Sequence, residues 1–90
     1  MTHVVCDVAD GLRPAEATVS IRTYSGRVEY LPLDRGMLSR ENGTHLLPVG
    51  VIYQDESKDA AFVELPDEAD SGTSRVWVRL SDMRQPGIAQ

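Results

Sequence analysis

One cysteine, one lysine, one phenylalanine and one tryptophan occur in these 90 residues, with two histidines. Each scarcity closes a class of function. A lone thiol, Cys6, makes no internal disulfide, and within Val4-Val5-Cys6 it reads as a small buried hydrophobe. Asp7 beside it has the wrong sign to activate a thiolate. One cysteine and two distant histidines, His3 and His45, fall short of the ligand set of a zinc or iron site. No run approaches the roughly 18 apolar residues of a membrane span, and no apolar stretch follows a basic N-terminus. The expectation is therefore a cytoplasmic protein with no membrane partner and no cofactor. Helical periodicity is missing as well: no window of about eleven residues repeats apolar side chains at helical spacing.

The balance of charge excludes a further class. Fourteen acidic residues stand against nine basic ones, a net charge of −5. Sequence-independent affinity for nucleic acid comes from cations that neutralise phosphates, so no nucleic-acid partner is expected. All the bases except Lys58 are arginine, whose planar fork suits paired contacts with carboxylates. A chain this short buries about 60–65% of its extended surface, enough for one modest core. The expectation is a single domain over residues 1–84 with a flexible tail over 85–90.

What remains is short alternating runs separated by turn residues, the pattern of an all-β protein. In "EATVSIRTYSGRVEYLPL", residues 16–33, Ala17, Val19, Ile21 and Thr23 share one face. A two-residue turn at Ser25-Gly26 pairs Tyr24 with Arg27, Thr23 with Val28, Arg22 with Glu29 and Ile21 with Tyr30. That register predicts Ile21, Val28 and Tyr30 in the core and an Arg22–Glu29 pair outside. "DRGML" is a single helical turn or a bend. Asn42-Gly43 is a turn, although Asn42-Gly43-Thr44 also matches a glycosylation acceptor. "THLLPVGVIYQ" reads as a strand buried on both sides, bulged or bent at Pro48 and Gly50. "HVVCDV", "AAFVEL" and "RVWVRL" complete the strands, with "SDMR" a short closing helical turn. Five to seven mostly antiparallel strands of this length hide their edges best by curling up. The predicted architecture is a small barrel, SH3-like, with a two-sheet roll as the alternative.

One stretch spells a catalytic motif. Asp70-Ser71-Gly72-Thr73, ahead of Val76-Trp77-Val78, resembles the Asp-Ser/Thr-Gly segment of aspartic peptidases. The resemblance implies Asp70 as catalytic acid, Ser71 and Thr73 as its supports, and Gly72 as the close-approach position. Trp77 would be a packing residue, and the enzyme a dimer donating one aspartate per chain, as in retroviral peptidases. Three departures set the chain apart. Pro66-Asp67-Glu68-Ala69 precedes Asp70 where the family has a burying apolar strand. The chain after Asp70 is too short for a flap and a later apolar-apolar-Gly element. Asp-Ser-Gly is also ordinary turn chemistry, Asp and Ser bonding nearby backbone while Gly takes positive φ. The segment is read as a hairpin loop, and no residue is assigned a catalytic role.

Two surfaces remain as candidates. Arg75, Trp77 and Arg79 share the face of their strand opposite Val76, Val78 and Leu80, which sets the one tryptophan between two guanidiniums. Tryptophan and arginine are enriched at binding hot spots, which predicts a non-catalytic module for a protein or peptide partner, another copy of itself included. Its natural ligand is an acidic or carboxylate-bearing peptide. The alternative is an inhibitor or immunity-type protein that blocks a basic partner with the acidic surface Asp67, Glu68 and Asp70.

Overall fold

The computed structural model describes residues 2–85, and of the tail expected at 85–90, residues 86–90 lie outside them. The chain is all-β. Eight strands follow in order: β1 (Thr2–Asp10), β2 (Glu16–Arg22), β3 (Val28–Asp34), β4 (Ser39–Glu41), β5 (Thr44–Asp55), β6 (Ala60–Glu64), β7 (Arg75–Arg79) and β8 (Met83–Arg84). The count exceeds the five to seven expected because β4 and β8 are three and two residues long. Single 3-10 turns occupy Arg35–Met37, Glu56–Lys58 and Leu80–Asp82.

The sheet runs β3-β2-β1-β5-β6-β7, every pair antiparallel, with β4 added to β5 and β8 to β1. Its curl comes from the two longest strands, which change partner midway. Residues Thr2–Cys6 of β1 pair with β5, whereas Asp7–Asp10 pair with β2. Residues Thr44–Leu46 of β5 carry β4 on one edge, and Gly50–Asp55 carry β6 on that edge. A strand serving different neighbours at its two ends must twist between them, and the sheet rolls into a half-barrel. One apolar cluster fills the concave side, with Val19, Leu31, Leu47, Val63 and Val78 fully buried. Pro48 falls in the stretch of β5 between its β4 and β6 ladders, where a residue without an N–H costs the sheet least.

Several sequence expectations hold. Ala17, Val19, Ile21 and Thr23 face inward. Asn42 and Gly43 both take positive φ (52° and 81°) in the two-residue turn joining β4 and β5. Val76 and Val78 fill the core while Arg75, Trp77 and Arg79 point outward.

Three details are corrected. The β2–β3 register is shifted by one residue from that expected: Arg22 pairs with Val28 and Ile21 with Glu29. The loop holds three residues, Tyr24-Ser25-Gly26, because Thr23 N–H bonds Arg27 O (2.7 Å) and Gly26 N–H bonds Thr23 O (2.9 Å). Gly26, at φ +92°, supplies the left-handed position that such a loop requires. A one-residue slip inverts every side chain. Val28 and Tyr30 are therefore exposed, Glu29, Leu31 and Leu33 are inside, and no Arg22–Glu29 pair forms. Second, β5 is buried only at Leu46, Leu47 and Val49, and its far half is solvent-facing. Its irregularity lies between Val51 and Tyr53, past the expected Pro48–Gly50 bend. Third, "SDMR" is only partly helical: Met83 and Arg84 pair with Val4 and His3 as a strand.

Candidate interaction site

The Asp-Ser-Gly stretch is a turn. Ala69 N–H bonds Thr73 O and Gly72 N–H bonds Ala69 O, both at 2.8 Å, and Gly72 sits at φ +95°. This repeats the bonding of the Thr23–Arg27 loop, with Ser-Gly at the same two places. Ala69 is buried as the anchor of the loop while Asp67, Glu68 and Asp70 are exposed. An exposed Asp70 lacks the dry surroundings that let two carboxylates share a proton. Asp67 does local work, accepting from Glu68 N–H at 2.7 Å.

The loop also pins the barrel. Asp70 N–H donates to Tyr30 O at 2.7 Å, and Ser71 Oγ donates to Glu29 Oε1 at 2.7 Å. At the other end Tyr24 N–H donates to Trp77 O at 2.7 Å, and the Tyr24 hydroxyl donates to Lys58 O at 2.6 Å. Between these pins runs the seam where β3 and β7 approach without pairing. Leu65 N–H bonds Ser74 O and Leu80 N–H bonds Asp59 O, marking the two ends of the β6–β7 ladder. Alternation between those ends turns the backbone groups of Arg75, Trp77 and Arg79 away from β6 and toward the seam. Thr73 Oγ1 covers Arg75 O at 2.9 Å, and Tyr24 covers Trp77 O.

A groove of about 560 Å³ opens along the seam, lined by Tyr24, Arg27, Glu29, Ser71, Arg75 and Trp77 among others. Glu29 is the unusual member. It is 7% exposed on the core-facing side of β3, yet among the described residues it joins no ion pair, and its side chain's one protein partner is the Ser71 hydroxyl. Sequence reasoning missed it because the register was wrong. The signal was present in Leu31 and Leu33, whose parity Glu29 shares.

The Arg75-Trp77-Arg79 stripe lies on the convex face of β5, β6 and β7. Register places Tyr53 opposite Phe62 and Phe62 opposite Trp77. The Trp77 ring lies 5.1 Å from Phe62, tilted by 35°, and 6.3 Å from Tyr53, edge to face at 83°. Trp77 is 41% exposed and Tyr53 58%, so the row is open to solvent. Arg79 stacks its guanidinium 5.1 Å from the Tyr24 ring, and Arg75 stands 3.9 Å from Glu64, a loose surface pair. The stripe and the acidic loop therefore flank the same seam: Asp70 and Ser71 tie to β3, and Trp77 ties to Tyr24.

Three other features lie apart. His3 is buried on β1 with Nδ1 unpartnered, beside an apolar hollow formed with Met37, Pro48, Leu65 and Pro66. Burial, and then the neighbouring Asp7 carboxylate, push the Cys6 thiol up to about 11. A second acidic cluster, Asp55, Glu56 and Asp59, starts at the end of β5, and there a Ser57 hydroxyl bonded at 2.7 Å holds the Asp55 carboxyl below its usual value. Neither acidic loop forms a metal-ligating cluster of three among the described residues. No helix there is long and apolar enough to cross a membrane.

Compared with family models, curated proteins and solved structures, the chain matches none of them. The assignment of function rests on the surface alone.

Proposed function

We propose that the chain is a non-catalytic interaction module with an SH3-like barrel, binding a protein partner through the Tyr53–Phe62–Trp77 row. One observation carries the reading: aromatic side chains from three strands meet at a solvent-exposed Trp77, with Tyr53 edge-on and Phe62 tilted against it and Arg75 and Arg79 on either side along β7. An exposed aromatic centre with a charged rim has the composition of a binding hot spot. Arg75 and Arg79 flank the row and suit an acidic peptide, and a lone buried thiol suits a cytoplasmic setting.

The test begins by cross-linking the wild-type protein in cell extract and identifying the partner. Affinities of purified variants for that partner then decide. Trp77→Ala is expected to lose at least tenfold, about 1.4 kcal/mol, and the Arg75→Glu/Arg79→Glu double variant to lose as much. Full affinity in both would refute the reading.

A second reading has its own observation. Asp67, Glu68 and Asp70 are exposed and belong to no ion pair among the described residues, as a surface blocking a basic partner requires. Binding that survives at Trp77→Ala but falls in Asp67→Asn/Glu68→Gln/Asp70→Asn would favour it.

A further inference from the structure

The seam groove holds a buried carboxylate that forms no ion pair among the described residues. Glu29 is more than nine-tenths buried, is bonded through Oε1 to one neutral hydroxyl, and pairs with no cation among the described residues. A buried charge is ordinarily paired, because losing water costs several kcal/mol per ion. Position 29 alternates with Leu31 and Leu33 on the inner face, where an apolar residue would complete the core without that cost. Glu29 also lines an open groove, and the groove has aromatic members in Tyr24 and Trp77. The protein already shows the compatible chemistry beside it, in the Arg79 guanidinium stacked on the Tyr24 ring. Arg27 and Arg75 line the groove too, but both are exposed, so positive charge lies at its surface and negative charge deeper in.

From this layering we infer that the groove is a subsite for one cationic side chain, arginine or lysine, of an otherwise acidic partner peptide, with Glu29 as its counter-ion. The ligand cation meets the Glu29 carboxylate between Tyr24 and Trp77, and flanking acidic residues of the same peptide meet Arg27 and Arg75. Ser71 is a positioning residue, holding Oε1 so that the carboxylate keeps one orientation. The inference rests on the interaction-module reading for its biological sense, yet it turns on Glu29 in the groove, which shares only Trp77 with the convex aromatic row.

The test uses small probes on the whole protein: the N-acetyl, N-methylamide derivatives of arginine, lysine and glutamine. Amide shifts of residues 23–29 and 71–77 and Trp77 fluorescence report binding. A cationic probe is expected to saturate at millimolar concentration, at least tenfold more tightly than the glutamine probe, and to weaken with salt. The arginine and lysine arms identify which cation is taken. Glu29→Gln is expected to abolish the preference for the cation, and Ser71→Ala to reduce it several-fold. Equal binding of cationic and neutral probes by the wild type overturns the inference, even if Glu29→Gln fails to fold. A preference that survives in folded Glu29→Gln, or shifts confined to other surfaces, overturns it as well. Because none of the three probes requires the natural partner, a negative result here leaves the Trp77→Ala affinity measurement standing on its own.

Discussion

The bond between Ser71 and Glu29 allows a double-mutant cycle whose sign separates a buried charge from an ordinary surface acid. A hydrogen bond to an ionised group contributes about 1.5–3 kcal/mol. Ser71 is exposed, so water replaces part of its contribution, and Ser71→Ala should cost about 1.5 kcal/mol, near the lower end. For a domain of this size that corresponds to a fall of roughly 6–12 °C in Tm. Glu29→Leu acts in the opposite direction. It puts an apolar side chain beside Ile21 and in line with Leu31, where the wild type holds a mostly buried carboxylate. Exchanging a buried charged group for an apolar one of similar volume is often neutral or stabilising by about 1–4 kcal/mol, so a gain of about 1 kcal/mol is expected. In the Glu29→Leu background Ser71 has no carboxylate to serve, and Ser71→Ala should cost under about 0.5 kcal/mol. The coupling is then about 1 kcal/mol, read from urea unfolding at pH 7 with a common m-value. If Ser71→Ala costs the same in both backgrounds, or Glu29→Leu is the less stable protein, Glu29 is not a desolvated charge. A variant that is more stable but no longer prefers the cationic probe would mark Glu29 as kept for binding at the expense of the core.

Gly26→Ala and Gly72→Ala should each destabilise by about 1–2 kcal/mol and by equal amounts, because both glycines have positive φ and an added Cβ meets nothing within 4 Å; a clear difference in urea midpoint would show that the loops are not equivalent. The Cys6 thiol ionises near 11 when folded against an ordinary 9.0, so the unfolded chain loses its proton first. That contribution to stability is complete below pH 9 and disappears as pH rises toward 11; unfolding free energies that are flat across this window in wild type, or that fall as steeply in Cys6→Ala, would contradict it. His3→Leu removes a buried Nδ1 with no partner and should be neutral or stabilising by up to about 1 kcal/mol, and a large loss in a thermal melt would reveal a partner for that nitrogen. Trp77 fluorescence should be quenched readily by iodide, since the ring is 41% exposed; a blue-shifted, protected indole would remove the aromatic row as a surface.

Local chemistry was legible along the chain because it depends on near neighbours. Period-two alternation identified β2, β6 and β7 and their inward residues, and Asn-Gly and Ser-Gly marked turns whose glycines do take positive φ. Asp-Ser-Gly could be separated from a protease motif because the carboxylates around it announce a solvated loop, and Asp70 is exposed. The Arg75-Trp77-Arg79 stripe was visible for the same reason, since alternate residues of one strand share a face.

The register of the β2–β3 hairpin was not decided locally. Ser25-Gly26 fits a two-residue turn and also the end of a three-residue loop, and only the demand that Leu31 and Leu33 enter the core selects the second. That choice moved Glu29 from a surface ion pair into the interior. Tyr53 and Phe62 joined Trp77 only once β5, β6 and β7 lay side by side, across an irregularity that no spacing in the sequence located. Alternation says which residues share a side of one strand. Which strands meet, and in what phase, depends on contacts between distant segments, and those exist only after the sheet has curled.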